Sequence, residues 1–210
     1  MKKFALVLLF LVSFVPMQEE VSLMIVAHPD DEILWGGASL SHHRYVVVCM
    51  TNGDHPIRSV EFERVMMRCG KESMMFSYPD KVNGKRSDWQ SIQKAMRHEL
   101  QTLITSRKWK RIVTHNPNGE YGHAHHRILS KLVTDISEEI GYDELYYFHH
   151  YYRKNQIHRY LPLLSFSEIY WKQEMMRDYV SQAKVNEHLK HMYGYEELIP
   201  KKRWINCYSD

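Results

Sequence analysis

Leu23-Met24-Ile25-Val26-Ala27-His28-Pro29-Asp30-Asp31-Glu32 is the stretch on which the reading of this chain turns. Five apolar residues, Leu23 to Ala27, read as a buried strand, and the apolar residues after Glu32 read as a helix. Between them stand one imidazole and three carboxylates, which folding alone does not require. A charged cluster where a strand stops and a helix starts lies at the edge where open α/β sheets bind ligands. Imidazole with carboxylate is also a ligand set that zinc and similar divalent metals accept.

A second cluster follows at Thr114-His115-Asn116-Pro117-Asn118-Gly119-Glu120-Tyr121-Gly122-His123-Ala124-His125-His126. It too follows a strand-like run, Arg111 to Thr114, and leads into a helical pattern from Arg127 to Ile140. Two ligand-rich strand ends in one domain can converge on one metal. A catalytic zinc takes three protein ligands and keeps one position for water. His28 and Asp31, three apart across the rigid Pro29, can face one point, and His126 offers a second imidazole.

The rest of the chain fits that frame. Tyr45 to Met50, Ser73 to Ser77 and Leu145 to Phe148 read as strands. Helical stripes run through Phe62, Val65, Met66 and Cys69, and through Ile92, Met96, Leu100 and Leu103. Turn residues such as Asn52-Gly53, Pro79-Asp80 and Asn83-Gly84 separate them. Strands alternating with helices predict a single Rossmann-like α/β domain: a mostly parallel sheet with helices on both faces. Beyond His149 the pattern predicts one long helix from Glu168 to Ala183, in a tail that packs on the sheet or walls the site.

Composition narrows the function classes. At 210 residues with 44% hydrophobic and 25% charged, a soluble globular domain is expected. A net charge of +3 makes no electrostatic case for nucleic acid. The three cysteines contain no C-x-x-C, so neither a disulfide framework nor a Cys zinc site is expected; Cys49 and Cys69 read as buried. Residues 1–20 form an apolar N-terminal segment and 21–210 the domain. Lys2-Lys3 before the run Phe4 to Val15 resemble a signal or anchor, though no small-x-small cleavage site follows. The alternatives are a docked extra element or a start at Met17 or Met24. Membrane association is expected only through residues 4–15. Localisation is cytoplasmic, or secreted or anchored if that segment is a signal. Oligomeric state is not legible.

Ala-His-Pro-Asp-Asp-Glu with a later Gly-His-x-x-His resembles the LmbE-like, or PIG-L, family of zinc-dependent de-N-acetylases. Further landmarks are Leu34-Trp35-Gly36-Gly37-Ala38, Thr51-Asn52-Gly53-Asp54, Arg58 with Glu61, Cys69-Gly70, Tyr78-Pro79-Asp80 and, loosely, Tyr179-Val180-Ser181-Gln182. The resemblance implies Zn2+, or another divalent transition metal, on His28, Asp31 and His126. It implies Asp30 as general base, His123 as the histidine that stabilises the oxyanion or protonates the leaving amine, and Tyr121 as the group polarising the carbonyl. Arg58 and Asp80 resemble residues that bind sugar hydroxyls. The implied substrate is a small-molecule N-acetylglucosamine-type conjugate. The alternatives are hydrolysis of another amide, or a glycan- or metal-binding relative without turnover. Asp-Asp phosphoryl chemistry with magnesium is disfavoured by His28, because magnesium prefers oxygen ligands. Many relatives carry Asp where this chain has His125, so His123 lacks a carboxylate expected to orient and charge it. His115 reads as a strand-end structural histidine, and the remaining histidines as solvated or packing residues.

Overall fold

A computed structural model describes residues 20–157 and 164–208. The segment 4–15 and His158 lie outside the described residues. The first motif strand is β1 (Ser22–Val26), buried throughout and central in a six-stranded sheet. Its neighbours are β2 (Tyr45–Thr51) and β6 (Ile112–Thr114), both parallel to it. Outside them stand β3 (Glu72–Tyr78) on one side, and β7 (Leu145–Phe148) and β8 (Leu198–Pro200) on the other. The order is β3-β2-β1-β6-β7-β8, with only β8 antiparallel.

This order creates the site. The chain leaves β1 toward β2 and β3, then returns to the other side of β1 at β6. Loops from the carboxyl ends of β1 and β6 therefore diverge and leave a crevice between them. The register pairs Leu23 with Ile112 and Ile25 with Thr114, so His28 and His115 follow adjacent strand ends.

Burial on both faces explains why β1 is apolar from Leu23 to Val26. Leu23, Ile25 and Ala27 pack with residues of α3 (Gln93–Thr105), α4 (Ala124–Glu139) and α7 (Lys201–Tyr208). Met24 and Val26 pack with α1 (Asp31–His42), α2 (Arg58–Cys69), α5 (Phe166–Met176) and α6 (Ala183–Leu189). Helices thus cover both faces. Gly36 lets α1 approach β1 closely, because a Cβ there would lie 2.7 Å from the Met24 methyl.

An ion pair between the buried Lys172 and the nearly buried side chain of Glu196 is spliced into α1. Lys172 Nζ donates to the Leu34 carbonyl (3.0 Å) and to Glu196 Oε2 (2.8 Å). The Ala38 and Ser39 amides donate to the two Glu196 oxygens at 2.9 and 2.8 Å. Backbone groups one helical turn apart in α1 are therefore partnered by side chains from the tail.

The single helix expected over Glu168 to Ala183 is not formed. α5 ends at Met176, a 3-10 turn spans Val180–Gln182, and α6 begins at Ala183. Tertiary hydrogen bonds override helix continuation here. The Tyr179 hydroxyl donates to Glu32 at 2.5 Å, and the Ser181 amide and hydroxyl donate to Glu61 at 2.8 and 2.5 Å. Cys49 is buried, but Cys69 is only partly buried, and both are free thiols. Among the described residues no helix is long and apolar enough to cross a membrane.

Candidate metal centre

The first motif bends sharply. Asp30 precedes α1 with φ 115°, a left-handed conformation costly for a residue with a Cβ. Its side chain does not cap the helix. Its amide donates instead to Glu32 Oε2 at 3.1 Å, and Glu32 is held in turn by Tyr179. This arrangement separates the neighbouring carboxylates. Asp31 turns toward His28, whose amide and Nδ1 lie 2.9 and 3.2 Å from Asp31 Oδ2. Asp30 turns toward Arg58, 3.8 Å away.

The second motif is a compact loop. Asn116 Oδ1 accepts from the Asn118 and Glu120 amides at 3.0 and 3.1 Å. Its Nδ2 donates to the Phe148 and His149 carbonyls at the end of β7. Gly119 is required: φ is +69°, and a Cβ would meet the His123 carbonyl at 2.6 Å. The loop folds Glu120 inward. Its Oε1 accepts the Asn116 amide, and its Oε2 lies 3.1 Å from His115 Nδ1 and 2.5 Å from His126 Nδ1. Burial raises the Glu120 pKa, but His115 and His126 outweigh it and hold the carboxyl at about 2. Glu120 is therefore an ionised acceptor that takes an Nδ1 proton of His126, which leaves His126 Nε2 as the nitrogen available to a metal.

That nitrogen faces the first motif. His126 Nε2 lies 3.3 Å from both His28 Nδ1 and Asp31 Oδ2, and those two are 3.2 Å apart. Ligands about 2.0–2.1 Å from a tetrahedral zinc are separated by about 3.3–3.4 Å, so this triangle matches one face of such a site. The donor set and the spacing fit a divalent transition metal. His115 is fully buried and its Nε2 sits 3.4 Å from Asp31 Oδ2, but the Ala27 amide donates to that nitrogen at 3.0 Å. It thus ties the ends of β1 and β6 together.

The remaining residues line a cavity of about 770 Å³ above this triangle. Asp30, Arg58, Asp80, Tyr121 and His123 all border it, with Gln182, Val185 and Leu189 of the tail as one wall. Arg58 is buried, donates to the Pro29 carbonyl at 2.8 Å and stands 3.6 Å from Asp80. Partial burial raises Asp80, but His28 and Arg58 outweigh it and hold Asp80 below the usual carboxylate range. The two motif carboxylates diverge. Burial, then the Asp31 charge, drives Asp30 well above its ordinary pKa; in Asp31 burial is overcome by His126 and His115, which hold it well below. Burial and the adjacent His126 and His28 push His123 well down, and its Nδ1 is buried without a partner. Tyr121 is 45% exposed, with its ring 5.9 Å from that of His123. Burial and the Asp31 and Asp30 charges push its hydroxyl pKa up, so it remains a donor.

Sequence reasoning passed over several contributors. Glu32 and Tyr179 brace the Asp30 turn, and Glu120 orients His126. Trp89 stacks on His125 at 3.9 Å with the rings 4° apart. The carboxylates and the tyrosine stood in quoted motifs, but neither the pairing of Glu32 with Tyr179 nor that of Glu120 with His126 was legible there. Trp89 follows a small hairpin, β4 (Lys81–Val82) and β5 (Lys85–Arg86), of which only the Asn83-Gly84 turn was legible.

With this geometry in hand, comparison places the chain. The family PIG-L: GlcNAc-PI de-N-acetylase matches residues 23–137, more than half the chain. The protein belongs to this family, and membership supports a deacetylase hydrolase. The uncharacterized protein L374 of Acanthamoeba polyphaga mimivirus is 33% identical over 170 residues, covering 72% of this chain and 71% of its own length. Among solved structures, the N,N'-diacetylchitobiose deacetylase of Pyrococcus horikoshii, complexed with its inhibitor MPG, superposes with a TM-score of 0.56. It is 15% identical and covers 89% of this chain and 73% of its own. The conserved protein TT1542 of Thermus thermophilus superposes at 0.60 with 16% identity, covering 87% of this chain and 94% of its own. At these identities the likeness is one of fold.

Proposed function

We propose that this protein is a metal-dependent hydrolase that removes the acetyl group from an N-acetylglucosamine-type conjugate. The observation that carries this reading is the triangle of His28 Nδ1, Asp31 Oδ2 and His126 Nε2, with edges of 3.2–3.3 Å, opening onto the cavity. When bound there, zinc or a similar ion supplies Lewis acidity, which makes water nucleophilic at neutral pH.

The chain's own residues do the rest. Opposed pKa shifts in adjacent carboxylates support a division of labour: Asp31 as ligand, Asp30 as proton acceptor. Asp30 takes one proton from the attacking water. The water oxygen bonds to the acetyl carbon, and the Tyr121 hydroxyl donates to the acetyl oxygen as charge builds there. The neutral His123 fits the hydrogen-bond-donor role better than the proton-donor role, since neighbouring imidazoles oppose its charging. Asp30 then returns its proton to the nitrogen as the C–N bond breaks, releasing acetate and a free amine. Arg58 and Asp80 border the space a sugar ring would fill.

The test is a screen of N-acetylglucosamine conjugates for free primary amine and acetate. The reading requires release that depends on added zinc and stops with chelator. Release that chelator does not affect, or none on any conjugate by the zinc-loaded protein, overturns it.

A further inference from the structure

The metal reading leaves one question that the ligand triangle does not answer. His28 lies 3.2 Å from Asp31 through Nδ1. With its proton on that nitrogen, His28 would donate to Asp31, and a cation would have to displace that proton before Nδ1 could bind it. A partner that holds the proton on Nε2 removes that cost.

We infer that His125 is that device: a positioning residue which holds the His28 proton on Nε2 and leaves Nδ1 open toward the metal. The inference rests on the metal-centre reading above. The hydrogen bonds run in one direction. His125 Nε2 lies 2.6 Å from the Ser87 carbonyl, which can only accept, so that nitrogen bears the proton. His125 Nδ1 then carries a lone pair. His28 Nε2, 3.0 Å from it, must be the donor. Asp80 Oδ1, 3.5 Å from His28 Nε2 and 3.8 Å from His125 Nδ1, also favours a proton on His28 Nε2, while its Oδ2 faces Arg58.

The clamp that orients His125 belongs to the loop after the small hairpin. The Ser87 amide donates to the Asp80 carbonyl at 2.9 Å, which fixes the Ser87 peptide. Trp89 stacks flat on the imidazole, and its indole N–H donates to the Pro79 carbonyl at 2.7 Å. The ring can neither swing nor flip without losing these contacts. A ligating histidine commonly has its second nitrogen held by a carboxylate, carbonyl or water. Here another imidazole does that work, itself anchored by a carbonyl.

The experiment measures zinc affinity of the full chain by competition with a chromophoric chelator, with no substrate present. His125→Phe keeps a ring against Trp89 and removes the acceptor; zinc should bind about 10–100-fold more weakly. His125→Gln restores an acceptor oxygen and should recover affinity to within about 10-fold of wild type. Histidine 15N spectra of the metal-free wild type should show His28 as the Nε2–H tautomer. Unchanged affinity in His125→Phe, or a His28 proton on Nδ1, overturns the inference. So does a second zinc per chain that His125→Phe removes, since His125 would then be a ligand. If His125→Phe does not fold, the wild-type tautomer decides alone. None of these readouts needs turnover, so failure of the deacetylase reading is separately visible.

Discussion

Glu120 Oε2 sits 2.5 Å from His126 Nδ1, and the same oxygen lies 3.1 Å from His115 Nδ1. One carboxylate thus orients two stacked imidazoles, whose ring centres are 3.7 Å apart. Glu120→Gln removes the charge that fixes the His126 tautomer. Zinc affinity should fall about 10–100-fold with the three proposed ligands still present, which isothermal titration would measure.

His126→Ala removes one corner of the triangle. The variant should retain its fold and lose most bound zinc, as read by metal analysis after gel filtration. Stoichiometric zinc in that variant would show that His126 is not a ligand.

Asp30→Asn should separate chemistry from metal binding. Zinc content should match wild type while kcat falls about 10²–10⁴-fold, the usual loss on removing a general base. If the metal leaves instead, the roles of Asp30 and Asp31 are reversed.

Lys172→Met leaves Glu196 as a buried charge without its cation. Breaking one side of such a pair costs about 3–5 kcal/mol, measurable as a lowered urea midpoint with an unchanged m-value.

Cys69 should be inert to iodoacetamide in the native state. Burial pushes its thiol up to about 12, and Cys49 well above its ordinary value. At pH 8 a thiol of pKa 12 is ionised to roughly one part in ten thousand. Mass mapping should find Cys49 and Cys69 alkylated only after unfolding; rapid native labelling of either would contradict their placement.

The imidazole- and carboxylate-bearing strand ends were legible because their residue types have no packing reason to be there. His28, Asp31 and His126 converge as the alternation of strands and helices implied. What escaped the sequence depends on partners far along the chain. Nothing local says that Tyr179 breaks a helical stripe to reach Glu32, 147 residues away. The apolar spacing around Met175 and Met176 reads as continuous helix, and only the buried carboxylates interrupt it. β8 is three residues long and antiparallel, too short for a periodic signal. His125 showed as a departure from a pattern, but its partners, Ser87 and Trp89, stand in a loop with no motif of its own.

The ion pair between Lys172 and Glu196 also sets a clock. The Ala38 amide and its Glu196 acceptor are 158 residues apart. At synthesis rates of about 5–20 residues per second, roughly 8–30 s separate their emergence from the ribosome. Throughout that interval the helix that begins at Asp31 lacks the partners of its middle turn. The motif that is made first is therefore braced last: the helix behind His28 and Asp31 receives its buried partners only when the tail has been made.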